Sequence, residues 1–395
     1  MVAYIEKWLI PLLGYDILRQ ISVYLRTTIR IKMAEILKTR FGQQQRLFFN
    51  TLRQRVDNYF KTNEISKNGN AGMVFKTFVM FAIYLVPYFL ILFGGFQSNL
   101  LLLALSMVMG VGMAGIGLSV MHDAIHGSYS KYPNVNKFLS FSICLIGGLP
   151  INWQLQHNVL HHTYTNVHEH DGDLEGPSFL RFSPNMPRKK VHKFQFLYAW
   201  FFYGLITVAW STIKDFKQLA RFQKMELLKT QNKKFNSQLA LLIFAKALYY
   251  VYVVVIPMLV LDVAWWKILI GIFAMHYTAG LILSMIFQSA HVVEEASFPV
   301  VPAETGSIEN DWAVHQLYTT ANFAQRSRLF SWYVGGLNFQ VEHHLFPNIC
   351  HVHYKKIAKI VEDTAKEFNF PYYTQPTFVG ALWSHSKLLW RLGRA

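Results

Sequence analysis

An all-helical integral membrane protein with four crossings in two hairpins is the fold class that this 395-residue sequence predicts. Three observations predict it. The chain is 52% hydrophobic and only 15% charged, with a mean hydropathy of +0.21, too apolar for ordinary soluble domains. Residues 74–96, 100–121, 239–261 and 265–290 are apolar runs long enough to cross about 30 Å of hydrocarbon. Finally, the basic residues avoid those runs: 12 Lys/Arg lie in residues 1–73, 7 in 122–193, 7 in 214–238 and 9 in 291–395, which accounts for 35 of the 38.

Residues 1–72 read as a basic amphipathic N-terminal region. Ile17, Leu18, Ile21, Leu25 and Ile29 form one stripe with Arg19, Arg26 and Arg30 off it, a membrane-surface pattern, and residues 34–55 continue as basic helix. Charges interrupt every apolar stretch here, so it is no secretory signal. The membrane domain then runs from 73 to 395. The turns inside its hairpins, residues 97–99 and 262–264, hold no Lys or Arg and should be extracytoplasmic. The positive-inside rule places both termini and the segments 122–238 and 291–395 in the cytoplasm.

Two further runs, 138–153 and 194–213, are apolar without being expected to span. Arg188, Lys189, Lys190 and Lys193 precede the second and Lys214, Lys217 and Arg221 follow it, so both of its ends favour one face. Both runs are expected to lie in the interface or re-enter. Residues 354–368 alternate Ile357, Ile360, Val361 and Phe368 with Lys and Glu, as a helix on a cytoplasmic helical cap would. The net charge of +16 belongs beside a bilayer rather than nucleic acid, because 16% of residues are aromatic and the apolar runs are long. Cys144 and Cys350 are too few for a disulfide framework or an iron–sulfur cluster, which leaves 16 histidines as the plentiful metal ligands.

The first histidine stands at position 122, where the second crossing ends, and three clusters follow: His122-Asp123-Ala124-Ile125-His126, His157-Asn158-Val159-Leu160-His161-His162 and Gln340-Val341-Glu342-His343-His344. Residues four apart on a helix share a face, so His122/His126 and His157/His161 can each aim two imidazoles inward. His162 and His344 add a neighbour turned about 100°. His291, at the end of the fourth crossing, completes the set at the depth of His122. Eight imidazoles suit two metal ions, about four each. A nitrogen-rich, cysteine-free set fits Fe, Zn or Cu, so ligand type alone does not choose the metal. A metal site at the mouth of an apolar bundle points to chemistry on a lipid.

The motifs HDAIHG, QHNVLHHTYTN and NFQVEHHLFP, with the extra histidine of FQSAH and the segment DWAVHQLYTTANFA, resemble the histidine boxes of the membrane fatty acid desaturases. The glutamine that opens the third box resembles the front-end acyl desaturase branch. The resemblance implies a non-haem diiron centre held by His122, His126, His157, His161, His162, His291, His343 and His344, with O2 as co-substrate and two external electrons. It implies a cis double bond inserted into a fatty acyl chain, carried by a lipid or by coenzyme A. Gln340 could bind metal through its amide oxygen or only hydrogen-bond to a ligand, and His315 could ligate or bond to backbone. Asp123 and Glu342 are expected to orient ligand imidazoles, whereas Asp171 and Asp173 could do the same or lie in a solvated loop. Gly112, Gly115 and Gly117, below the first box, permit close helix packing or leave room for an acyl chain. No b5-like haem motif stands in the sequence, so the donor is expected to be a separate ferredoxin or cytochrome b5. His276 reads as a buried polar contact, and His192 and His385 as surface residues. The competing readings are a diiron hydroxylase of the same superfamily and, from another class, a zinc-binding membrane lipid amidase or receptor.

Overall fold

The computed structural model describes residues 39–174 and 176–395. The stripe from Ile17 to Ile29 lies outside them. The described part of the N-terminal region departs from one continuous helix: β1 (Arg40–Phe41) pairs in parallel with β2 (Ser307–Ile308), and helix α1 (Arg46–Thr62) begins only after it. In α1 the apolar residues Phe48, Leu52, Val56 and Phe60 recur every fourth position and are all buried. They share one core with Phe339, Val341 and Leu345, so this helix covers the third histidine cluster rather than lying free on a surface. Arg55 fixes its far side by reaching Thr364 at 3.0 Å and Glu367 at 2.7 Å.

Among the described residues four helices are long and apolar enough to cross a membrane: α2 (Ala71–Phe93), α3 (Asn99–Ile125), α8 (Phe235–Val260) and α9 (Trp265–His291). They match the four sequence-derived runs, with ends shifted by a few residues because caps set a helix start. The Asn70 side chain accepts the Met73 N–H at 3.1 Å, which starts α2 three residues early, and Ser98 does the same for Leu101 at 3.3 Å at the head of α3. Only 22% to 50% of each span's most apolar stretch is buried within the protein, as expected where lipid covers the remainder. The chain is a multi-pass membrane protein.

Small residues let α3 sit in the middle. A Cβ on Gly110 would lie 2.4 Å from the Met275 carbonyl of α9, one on Gly112 2.5 Å from the Tyr84 nitrogen of α2, and one on Gly115 2.4 Å from Met80 Sδ. Gly112 and Gly115 are thus used by helix packing. Gly117 has only ordinary contacts, with Ile146 and Leu283.

The two shorter apolar runs form bent pairs. Helices α4 (Pro133–Leu145) and α5 (Pro150–Tyr164) meet at 100°, and α6 (Lys190–Gly204) and α7 (Ile206–Lys224) at 53°. The rest of the chain contributes α10 (Trp312–Thr319), α11 (Arg328–Tyr333), α12 (Gln340–Leu345), α13 (Tyr354–Glu367) and α14 (Phe378–Leu392). A second parallel pair, β3 (Ala321–Phe323) with β4 (Tyr373–Gln375), ties this part together. Among the described residues the fold is therefore mostly helical with two very short sheets, rather than strictly all-helical.

Candidate metal centre

One of the three histidine clusters lies on a helix wound more loosely than α, and another directly follows such a stretch. Residues Ile116–Met121, leading into the first cluster, and Gln154–His161, carrying the second, are π-helical. The second segment explains how one helix supplies three inward imidazoles. At 100° per residue His157 and His162 would point about 140° apart, whereas a π turn, at roughly 80° per residue, brings them to within about 50°. The sequence reading assumed α geometry and turned His162 away.

The imidazole nitrogens converge in overlapping groups, each within 4.8 Å: His122, His126, His157 and His343; His161, His291 and His344; and His162, His343 and His344. All eight side chains named from the sequence fall in this cluster. His157 Nε2 stands 3.2 Å from His122 Nε2 and 3.3 Å from His162 Nε2. His157 Nε2 thus meets two other imidazole nitrogens, and a single N–H cannot satisfy both contacts, whereas a cation between the rings would satisfy all three lone pairs. Moreover His126 Nε2, His162 Nδ1, His291 Nε2, His343 Nε2 and His344 Nε2 are buried with no hydrogen-bond partner. Burial, reinforced by the neighbouring imidazoles, pushes His343 and His344 well below the usual histidine range and keeps them neutral, the form that ligates. The donor set therefore fits metal binding.

The second nitrogens are held from outside. His161 Nδ1 lies 3.0 Å from an Asp171 carboxylate oxygen, and Asp171 also accepts the backbone N–H groups of Asn166 and Asp173. His344 Nδ1 meets Gln316 Oε1 at 2.8 Å, His291 Nδ1 meets the Thr319 carbonyl at 3.3 Å, and His343 Nδ1 meets the Tyr354 hydroxyl at 3.2 Å. Gln316 and Tyr354 went unnoticed in the sequence. His315, next to Gln316, is buried but bonds through Nε2 to the Thr165 carbonyl at 2.9 Å, and it joins none of the metal-binding groups.

The remaining candidates divide. Gln340 is buried near His291, and its amide nitrogen has no hydrogen-bond partner among the described residues. Asp173 stands 3.6 Å from His157 Nδ1. Asp123 is 3.6 Å from His122 Nδ1, but its strong contacts are to His351 Nδ1 at 2.8 Å and Cys350 Sγ at 2.9 Å, with Lys76 of α2 closing the chain on His351 Nε2 at 2.6 Å. Glu342 turns away from the imidazoles and accepts from Asn322 and Tyr372, both at 2.9 Å.

Two expectations need correction. His192 and His385 are not surface residues but buried, 2% and 0% exposed. His385 donates from Nδ1 to the Val292 carbonyl and accepts the Tyr203 hydroxyl, both at 2.7 Å, while His192 accepts the Lys189 N–H at 3.0 Å. For His385 the burial comes from partners distant in sequence, 93 and 182 residues away. His276 is the buried polar contact expected, bonding Tyr249 and Thr207.

Four apolar spans beneath one buried cluster of eight imidazoles define a multi-pass membrane protein of the histidine-box class. The chain belongs to the fatty acid desaturase family, whose model matches residues 98–376. It is 34% identical over 362 residues to the sn-1 linoleoyl-lipid 6-desaturase of Synechocystis sp., covering 89% of this chain and 97% of that one. To the enzyme of the same name from Arthrospira platensis it is 34% identical over 338 residues, 85% and 89% of the two chains, and to the acyl-lipid (8-3)-desaturase of Physcomitrium patens 35% over 352 residues, 88% and 72%. The chain is a desaturase, an oxidoreductase of lipid metabolism, which sets aside the hydroxylase, zinc amidase and receptor readings.

Proposed function

We propose that this desaturase acts on linoleoyl or similar chains in membrane lipids and introduces a cis double bond at a carbon counted from the ester end. The names of its relatives support the substrate class, and the converging imidazoles with unpaired buried nitrogens carry the chemistry. His122, His126, His157, His161, His162, His291, His343 and His344 would hold two irons, with Gln340 beside His291. When bound, a diiron centre lets O2 accept electrons and protons so that two hydrogens leave adjacent methylenes of the chain. Electrons balance when one O2 takes two from the acyl chain and two from a redox protein, a ferredoxin or cytochrome b5, and leaves as two waters.

The chain's own groups prepare that site. Asp171 keeps the His161 Nδ1 proton and thereby aims its other nitrogen inward; Gln316 does so for His344 and the Thr319 carbonyl for His291. The apolar walls of α1, α10 and α12 exclude water from the cluster. Flanking charge favours a cytoplasmic face for this site and both termini, with residues 1–72 as a basic region ahead of a catalytic unit at 73–395. The test is expression in a host whose lipids carry linoleoyl chains. One additional cis double bond and about two irons per chain are expected; zinc without product would refute the reading.

A further inference from the structure

A cavity of ≈ 80 Å³ opens beside the histidine cluster, between α5, α7 and α9. At its inner end Trp153 and Phe287 flank His157, with ring centroids 4.9 and 6.1 Å from the imidazole. Leu283 and Trp210 continue the apolar wall, and Lys214 and Gln218 stand on the two turns of α7 that follow. Trp210 stacks on Trp153 at 5.3 Å and 22°, and the Lys214 ammonium lies 5.8 Å over the Trp210 ring. The residues thus run in order from imidazole to apolar wall to cation. The Trp153 Nε1 and Gln288 Oε1 atoms at this cavity are buried without a hydrogen-bond partner in the protein.

The wall is fixed by a costly device. Asp215, 0% exposed, accepts the Trp210 indole N–H at 3.1 Å and the Asn152 amide of α5 at 3.0 Å. Lys246, 6% exposed and projecting from span α8, meets its other oxygen at 3.0 Å and also donates to the Trp210 carbonyl at 2.7 Å. An ion pair inside an apolar bundle is expensive relative to hydrophobic residues, and it persists where it fixes a geometry. Here the geometry fixed, from both its backbone and its ring, is Trp210.

We propose that this cavity seats the ester-proximal carbons of the acyl chain, with the ester and head group at Lys214 and Gln218, and that the Trp153–Trp210 wall sets which carbon pair is presented at His157. The volume suits a short run of methylenes, since about 10–15 Å³ of such space already holds one water. The Asp215–Lys246 pair acts through Trp210 and is a positioning element. The proposal rests on the desaturase reading and adds the residues that count carbons.

The test uses the full chain in membranes of a host with linoleoyl lipids, reading double-bond position by mass spectrometry alongside iron content. Trp210→Leu should spread the new double bond from one position to a mixture that includes neighbouring carbons, with iron unchanged. Trp210→Phe, which keeps a ring in the stack, should hold the position with slower turnover, and the paired Asp215→Asn, Lys246→Met variant, which strands no charge, should broaden the products. If Trp210→Leu does not accumulate, Phe287→Leu on the opposite wall carries the same expectation. An unmoved double bond in whichever of these two accumulates overturns the proposal. Absence of product from the unmodified chain would instead overturn the desaturase reading.

Discussion

The two halves of the histidine cluster are built to different tolerances. Around His161, His291 and His344 each Nδ1 has an acceptor supplied by the fold: the Asp171 carboxylate, the Thr319 carbonyl and the Gln316 amide. Around His122, His126, His157 and His343 only His343 has such a contact, with Tyr354, while carboxylates stand off at 3.6 Å from His122 and His157. In the first half ring orientation precedes any metal; in the second the metal itself must complete it. A hydrogen-bonded brace raises ligand basicity and fixes the tautomer, so the first half should bind its ion more tightly.

The largest effects should ignore this difference. Replacement by glutamine of any of the eight histidines, His161 in the braced half or His126 in the open one, should abolish unsaturated product while the chain still accumulates in the membrane. Full product with full iron from several of these variants would break the comparison together with the metal assignment.

Next comes the brace. Asp171→Asn is expected to lower iron occupancy or activity about 10- to 100-fold. Tyr354→Phe, which removes one neutral hydrogen bond worth about 0.5–1.5 kcal/mol, should cost only a few-fold. Titrating metal into each purified variant measures both, and equal losses would erase the distinction. Gln316→Leu should fall between them, since the His344 N–H loses its acceptor without loss of a charge; His315→Gln, whose contact is a backbone carbonyl, should leave iron occupancy unchanged while lowering turnover.

The smallest effect on chemistry is expected far from the cluster. His385→Gln breaks the link between Tyr203 and the Val292 carbonyl and should lower thermal stability by about 1–3 kcal/mol with iron per folded chain preserved. Thermal unfolding paired with metal analysis checks it. Loss of iron at unchanged stability would contradict it.

What could be read in advance followed from how local each signal is. Hydropathy fixes a span because most of its residues face lipid or an apolar neighbour, so 265–290 became Trp265–His291 with one residue added. The eight clustered histidines were legible because seven of them stand in three short motifs and the eighth, His291, ends an apolar run, all visible in the sequence alone. The brace was half legible: Asp171 lies ten residues from His161, but Gln316 lies 28 from His344, and its neighbour His315 drew attention by residue type. His385 was misread for the same reason, since Tyr203 is 182 residues away. The aromatic wall was invisible, because a stack between α5 and α7 depends on how the two bent helix pairs meet.

The π-helical stretch Gln154–His161 has a consequence for how iron and backbone depend on one another. An isolated helix favours the tighter α winding, and in that winding His157 and His162 cannot reach a common centre. Any ion gripped by both rings therefore holds the looser winding in place, and tightening by even one residue would swing an imidazole out of reach. On the diiron reading, iron loading and helix pitch would be thermodynamically linked: deleting one residue from this stretch should evict the metal without altering any of the eight histidines, and stripping the metal should free the peptide groups of residues 154–161 to exchange their amide hydrogens faster.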